Sequence, residues 1–171
     1  MVDRVAGATI DGTAGRAGPV AILLHSGVSY PMAMLAAFGA GRTYVPLDAD
    51  MPVERNRTIA SLAGVCAVLS EGDLLPVART VAMPGVPIID LEKDGVSSER
   101  VRLDDALLQH PACVLYTSGS TGEPKGLALS HGNILQKTQQ FTNAARISCV
   151  DRLLLARPLN VAGVVRSIYG A

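Results

Sequence analysis

The chain has 171 residues, with fifteen basic and fifteen acidic side chains, so its formal net charge at pH 7 is zero. A protein with no excess of basic residues has no electrostatic attraction for nucleic acid or for an anionic membrane, and neither is predicted as a partner. Hydrophobic residues make up 49% of the sequence and charged residues only 18%. This composition predicts that folding leaves apolar surface exposed.

The three cysteines, at positions 66, 113 and 149, are widely spaced and set among apolar residues. This pattern predicts neither a disulfide framework nor a metal site, and we interpret all three as reduced core residues. The sequence from Met1 to Arg4 does not begin the apolar segment of a signal peptide, and no apolar run reaches the length of a membrane helix. We therefore expect a cytoplasmic protein.

Strand and helix patterns alternate along the chain, which predicts an α/β fold with a largely parallel sheet flanked by helices. The predicted strands are residues 19–25, 43–47, 65–70, 86–91, 112–118, 127–130 and 152–156. The predicted helices are residues 29–38, with Ser29 as N-cap, 52–63, ended by Gly64, and 131–145, with Ser130 as N-cap. Residues 71–85 are predicted to be a loop with one helical turn, and residues 92–105 a charged solvent loop.

Three acidic residues, Asp48, Asp50 and Glu54, follow the second predicted strand. A metal cluster is one interpretation of them. Acidic residues before and within the first turn of a helix are more typical of caps and helix-dipole partners, and we prefer that interpretation. No metal ligands are assigned.

The segment from Thr117 to Gly126, TSGSTGEPKG, combines three glycines with four hydroxyl side chains and one lysine. Glycines allow positive φ angles and close approach of the backbone, so that successive N–H groups can converge on one anion. Hydroxyl groups donate to phosphate oxygens, and a lysine adds a mobile positive charge. We predict a phosphate-binding loop whose ligands are Thr117, Ser118, Gly119, Ser120, Thr121, Gly122 and Lys125.

Two alternatives explain this loop differently. A Walker A loop needs a hydroxyl residue directly after its lysine and then a helix, whereas Lys125 is followed by Gly126 and by a predicted strand. A hairpin connector without a ligand is the other alternative, but a plain turn needs two to five residues and no cluster of hydroxyl groups. The composition of the loop therefore favours phosphate binding.

The sequence from Tyr116 to Gly126, YTSGSTGEPKG, resembles the phosphate-loop motif of the adenylate-forming enzymes. That superfamily comprises the adenylation domains of nonribosomal peptide synthetases, the acyl-CoA synthetases and the luciferases. A second stretch, TYVPLDADMPVER from Thr43 to Arg55, is similar to a segment of the amino-acid-adenylating members. Two positions depart from the family pattern: Gly39 stands where many members have lysine, and Ala49 where proline often follows Leu-Asp.

The resemblance implies a ligase that joins a carboxylic acid, by preference an amino acid, to AMP and releases pyrophosphate. ATP and Mg²⁺ are the implied cofactors, and a carrier-protein thiol or coenzyme A the implied acceptor of the acyl group. A fatty or aryl acid remains the alternative substrate class. In this scheme the loop holds the β- and γ-phosphates, and its residues bind and position rather than attack.

The resemblance also implies a partial N-terminal domain over residues 1–171, incomplete at both ends and without a separate second domain. The motifs that bind adenine, ribose and the carboxylate in relatives would lie downstream, so no catalytic residue is assigned. Whether the chain is an enzyme by itself stays open. The alternatives are a truncated, catalytically inactive product and a binding or assembly module that another chain completes. We expect no activity from the chain alone.

Overall fold

The structure, a computed structural model, describes residues 2–93, 108–118, 123–154, 165, 167, 168 and 170. The helices are α1 Val2–Gly12, α2 Ser29–Gly39, α3 Val53–Ala63, α4 Leu75–Val81 and α5 His131–Ala145, with a 3-10 turn at Gly72–Leu74. The strands are β1 Val20–Leu24, β2 Tyr44–Asp48, β3 Ala67–Ser70, β4 Ile88–Asp90, β5 Pro111–Ser118 and β6 Pro124–Ser130.

The strands form one sheet in the order β4-β3-β1-β2-β5-β6. The first five are parallel to one another, and β6 runs antiparallel to β5. β1 is central and pairs with β2 from Val20–Tyr44 to Leu24–Asp48. The prediction of an α/β fold with a largely parallel sheet is therefore confirmed.

Helices cover both faces of the parallel strands, which explains why these strands are continuous apolar runs. Every residue of β1 is buried. Val20, Ile22 and Leu24 point into a cluster shared with α1, α2 and Ile134 of α5. Ala21 and Leu23, on the opposite face, join a cluster shared with α3 and α4. β6 differs, because most of its residues are exposed.

Gly64 ends α3 and Ser130 caps the start of α5, as the sequence predicted. Gly64 closes α3 in the left-handed conformation, with φ of 62°. The Ser130 side chain accepts a hydrogen bond from the Asn133 N–H at 3.2 Å and caps α5. Gly18 has a role that the sequence did not indicate. A Cβ there would lie 2.5 Å from the Gly64 carbonyl oxygen, so the loop before β1 passes the end of α3 at a distance that only glycine allows.

Two helices were missed or underestimated. α1 was not predicted, although Val5, Ala6 and Thr9 are buried on one stripe, the spacing of an amphipathic helix. Residues 71–85 were predicted to contain one helical turn, whereas they contain the 3-10 turn and α4. Pro76 is at the start of α4, where a missing N–H costs nothing, so proline there begins a helix rather than breaking it.

Other predictions were wrong in detail. Ser29 is the first residue of α2 rather than its cap, since the N-cap position is Val28 and no side chain caps it. Cys66 and Cys113 are buried as expected, but Cys149 is exposed. In the predicted strand 152–156, the described residues 152–154 are not in a strand. The predicted solvent loop 92–105 lies outside the described residues from position 94 onward.

None of the three acidic residues Asp48, Asp50 and Glu54 occupies the N-cap of α3. Pro52 occupies the N-cap of α3 and makes no side-chain capping bond. Asp48 Oδ1 accepts a hydrogen bond from the Asp50 N–H at 3.0 Å, which stabilises the turn. Glu54 lies in the first turn of α3, in agreement with a helix-dipole partner.

Candidate phosphate-binding site

The predicted phosphate loop joins β5 and β6, the antiparallel pair at one edge of the sheet. The ladder runs from Pro111–Ser130 to Ser118–Pro124. The second strand of this hairpin begins at Pro124, three positions before the predicted residue 127. No helix follows Lys125 directly, because α5 starts only after β6 ends. The arrangement agrees with the exclusion of a Walker A loop.

The structure describes three of the seven predicted ligands. Thr117 stands opposite Lys125 in the ladder, and both residues are exposed. The backbone of Ser118 is paired with that of Pro124. Gly119, Ser120, Thr121 and Gly122 lie outside the described residues. The structure therefore brings the predicted cation beside one predicted hydroxyl residue, at the loop end of the hairpin.

This pairing places four of the loop residues in a strand ladder. Thr117, Ser118, Lys125 and Gly126 belong to the pairing of β5 with β6. In an antiparallel pair only alternate residue pairs exchange N–H···O bonds, so the ladder occupies some backbone amides and leaves others facing outward. The side chains of Thr117 and Lys125 are exposed. The convergence of backbone amides on an anion stays a prediction.

Tyr116 and Gly126 form the next cross-strand pair inward from Thr117 and Lys125. A Cβ placed on Gly126 would lie 3.2 Å from Cζ of Tyr116, so the phenol ring covers the glycine directly. The ring also packs against the hydrophobic cluster shared with α3 and α4. Burial raises the pKa of the Tyr116 hydroxyl, which keeps it neutral. The sequence interpretation assigned no role to this tyrosine.

A cavity of about 160 Å³ lies at the opposite end of the hairpin. Its lining includes Phe38, Arg42, Thr43, His110, Pro111 and His131. Pro111 begins β5 and Thr43 precedes β2, so this cavity is at the amino ends of the parallel strands. Of the predicted phosphate ligands, the three that the structure describes, Thr117, Ser118 and Lys125, do not line it. Arg42 donates to the carbonyl oxygens of Arg16 and Thr13 at 3.0 and 3.1 Å, so it serves to hold the end of α1.

His131 lines this cavity at the start of α5, where the sequence predicted a first-turn residue. Its backbone N–H donates to the His110 carbonyl oxygen at 3.1 Å. Its ring packs edge-on against the Phe38 ring, with the ring centroids 4.5 Å apart. Burial, together with the nearby His110, lowers the pKa of His131. The imidazole therefore acts as a packed, neutral ring at pH 7.

The ladder pair of Thr117 and Lys125 presents hydrogen-bond donors at the surface. An exposed lysine beside an exposed threonine suits phosphate oxygens. In the described part of the chain, no three His, Cys, Asp or Glu side chains come together to hold a metal ion. Among the same residues, no helix is long and apolar enough to cross a bilayer.

The family model for AMP-binding enzymes matches residues 1–171, and the chain belongs to that family. Pyochelin synthetase PchE of Pseudomonas aeruginosa is 31% identical over 167 residues, which is 98% of this chain and 11% of the synthetase. A plipastatin synthase of Bacillus subtilis is 31% identical over 160 residues, or 88% of this chain and 4% of that protein.

Solved structures share the fold. The o-succinylbenzoate CoA synthetase MenE of Bacillus subtilis, in complex with the acyl-adenylate OSB-AMP, superimposes with a TM-score of 0.83 at 21% identity, over 99% of this chain and 44% of the synthetase. The nonribosomal peptide synthetase FmoA3 gives a TM-score of 0.82 at 24% identity, over 99% of this chain and 18% of that structure. The chain thus spans less than half the length of either protein.

Proposed function

We propose that this chain is the front portion of an ATP-dependent ligase that activates a carboxylic acid as acyl-AMP, and that the loop between β5 and β6 holds the ATP phosphates. The observation that carries the proposal is the pairing of Thr117 with Lys125 at the loop end of the hairpin, with both residues exposed. Residues directly opposite in an antiparallel ladder have their side chains on the same face, so a cation and a hydroxyl group lie together there. The chain is a member of the AMP-binding family.

The reaction explains why these residue types are needed. The carboxylate of the acid attacks the α-phosphate of ATP, the bond to the β-phosphate breaks, and pyrophosphate carries away the negative charge. Lys125 and the hydroxyl groups of Thr117, Ser118, Ser120 and Thr121 would hold the β- and γ-phosphates during this step. Mg²⁺ would add charge neutralisation through the phosphates. None of these side chains has to accept or donate the transferred group.

An amino acid is the preferred substrate class within this proposal. The stretch from Thr43 to Arg55 resembles that of amino-acid-adenylating enzymes, and the two peptide synthetases described above are 31% identical to this chain. The CoA synthetase is similar at 21% identity, which supports the fold but not the substrate. A fatty or aryl acid is therefore the second choice. Coenzyme A or a carrier-protein thiol would receive the acyl group.

Replacement of Lys125 tests the phosphate role. We expect the unmodified chain to bind Mg·ATP weakly, near millimolar, which corresponds to about 4 kcal/mol. Lys125→Ala should raise the dissociation constant at least about fivefold, because a charge-assisted hydrogen bond contributes roughly 1.5–3 kcal/mol before solvent screening. The measurement is a titration of the ¹⁵N-labelled chain with Mg·ATP, followed by amide chemical shifts.

Lys137→Ala is the matched control. Lys137 is also exposed, but it lies on α5 and is not part of the hairpin. Its replacement removes the same charge and should leave the dissociation constant unchanged within about twofold. Equal effects of the two substitutions would reduce the role of Lys125 to general charge attraction, and no effect of Lys125→Ala would exclude the proposed contact.

A further inference from the structure

The outer half of β5 is attached to the sheet mainly through side chains. Between β2 and β5, both fully described in their backbone, the paired residues are Tyr44 and Cys113. Beyond Cys113, the backbone of β5 pairs with β6 alone. The orientation of the hairpin, and with it the position of the loop, therefore depends on side-chain packing rather than on backbone pairing with β2.

Tyr116 supplies that packing on one face. In addition to its Cζ atom, its Cε1 atom and Cγ1 of Val114 would lie 3.4 and 3.3 Å from a Cβ on Gly126. The ring thus fills the position that a side chain at 126 would take, and it also contacts the cluster shared with α3 and α4. An aromatic ring over a cross-strand glycine is a recognised means of fixing strand register and separation.

We propose that Tyr116 is a positioning residue for the phosphate loop and acts through Gly126 and Lys125. The Thr117–Lys125 pair follows immediately after the Tyr116–Gly126 pair, so the ring sets where the lysine stands relative to the threonine. This inference rests on the proposed function, because it concerns the same loop. It adds a residue that does not touch the nucleotide but controls the groups that do.

Loss of the ring should weaken nucleotide binding without unfolding the protein. We expect Tyr116→Ala to raise the dissociation constant for Mg·ATP about fivefold, since misplacement of a ligand by about 1 Å is costly. Tyr116→Phe keeps the ring and should stay within about twofold of the unmodified chain. Tyr116→Leu keeps apolar burial without covering Gly126, and it should also raise the dissociation constant about fivefold. If Tyr116→Ala folds poorly, Tyr116→Leu takes its place in the comparison. Thermal unfolding verifies that each variant is folded.

Ile88→Ala distinguishes positioning from general stability. Ile88 packs against the same hydrophobic cluster, but it starts β4 at the opposite edge of the sheet. The substitution should lower the unfolding temperature and leave the dissociation constant unchanged. If Ile88→Ala weakened binding as much as Tyr116→Leu, the effect would be one of stability and the positioning role would be wrong.

A double-mutant cycle with Lys125→Ala identifies the route of the effect. If Tyr116 acts by holding Lys125, then Tyr116→Leu should change the dissociation constant by less than about twofold once Lys125 is alanine. Multiplicative effects of the two substitutions would overturn the inference and leave the proposed function intact. If Lys125→Ala alone had no effect, the proposed function would fail, and this inference would fail with it.

Discussion

At the scale of single residues, His131 illustrates a group whose surroundings change its chemistry. The imidazole is half-buried and packs against the Phe38 ring. Its pKa is lowered from the ordinary value of 6.5, mainly by burial and to a smaller extent by the nearby His110. The folded chain therefore binds a proton on His131 less readily than the unfolded chain does. By linkage, protonation of this residue favours unfolding.

The free energy of unfolding should consequently depend on pH below neutrality. The contribution of His131 is fully present above pH 6.5, the value for the unfolded chain, and is lost as the pH falls through 6.5 toward the lower folded pKa. Urea unfolding at about pH 7.5 and about pH 5.5, on either side of that value, measures it. His131→Asn should reduce the difference between the two pH values. An unchanged difference in His131→Asn would contradict this prediction.

Much of the residue-scale interpretation could be made from the sequence. The αL position of Gly64 and the cap at Ser130 follow from the chemistry of a few neighbouring residues, and both were predicted. The tight approach of Gly18 to Gly64 and the cover of Gly126 by Tyr116 could not be predicted in this way. Each depends on two segments that meet only after the sheet has formed.

At the scale of elements, α5 shows how a helix begins where the hairpin ends. Ser130 is both the last residue of β6 and the N-cap of α5. Its hydroxyl accepts from the Asn133 N–H at 3.2 Å and donates to Asn133 Oδ1 at 3.0 Å. The same residue thus stops the strand and satisfies the first turn of the helix.

Removal of this cap has a measurable cost. Ser130→Ala should lower the free energy of unfolding by about 1 kcal/mol, within the usual range for loss of an N-cap hydroxyl. Ser61→Ala, on the exposed face of α3, should change it by less than about 0.5 kcal/mol. Chemical denaturation of the two variants gives both values. Similar stabilities for Ser130→Ala and Ser61→Ala would show that the cap contributes little.

Helix and strand predictions differed in quality for a physical reason. The parallel strands are buried on both faces, so their apolar runs are conspicuous in sequence. α1 was missed because its apolar positions include alanine, glycine and threonine, which are weak signals by themselves. They become a buried stripe only when packed on α2 and the sheet.

At the scale of the whole molecule, the composition predicted exposed apolar surface, and the structure shows where some of it lies. Leu127 on β6 is 52% exposed and Leu135 on α5 is also 52% exposed. β6 is the edge strand next to the phosphate loop, and most of it is uncovered. An edge strand of this kind leaves backbone groups and apolar side chains available for contact with further polypeptide.

Pyrophosphate exchange tests whether the 171-residue chain adenylates an acid by itself. We expect no exchange of radiolabelled pyrophosphate into ATP when the chain is mixed with ATP, Mg²⁺ and amino acids. The reason is that the phosphate loop alone holds the leaving group and does not position a carboxylate for attack. An intact adenylating enzyme is the positive control. Sustained, amino-acid-dependent exchange by the chain would contradict this expectation.

The sequence by itself determined the α/β class, the order of the strands along the chain and the loop motif between Thr117 and Gly126, because these depend on local composition and periodicity. Only the tertiary structure decided that Thr117 and Lys125 are ladder partners, that Tyr116 covers Gly126, and that β5 meets β2 at Cys113. Cross-strand register and side-chain packing join residues that are distant in sequence. They are therefore set when the sheet assembles, and local pattern does not specify them.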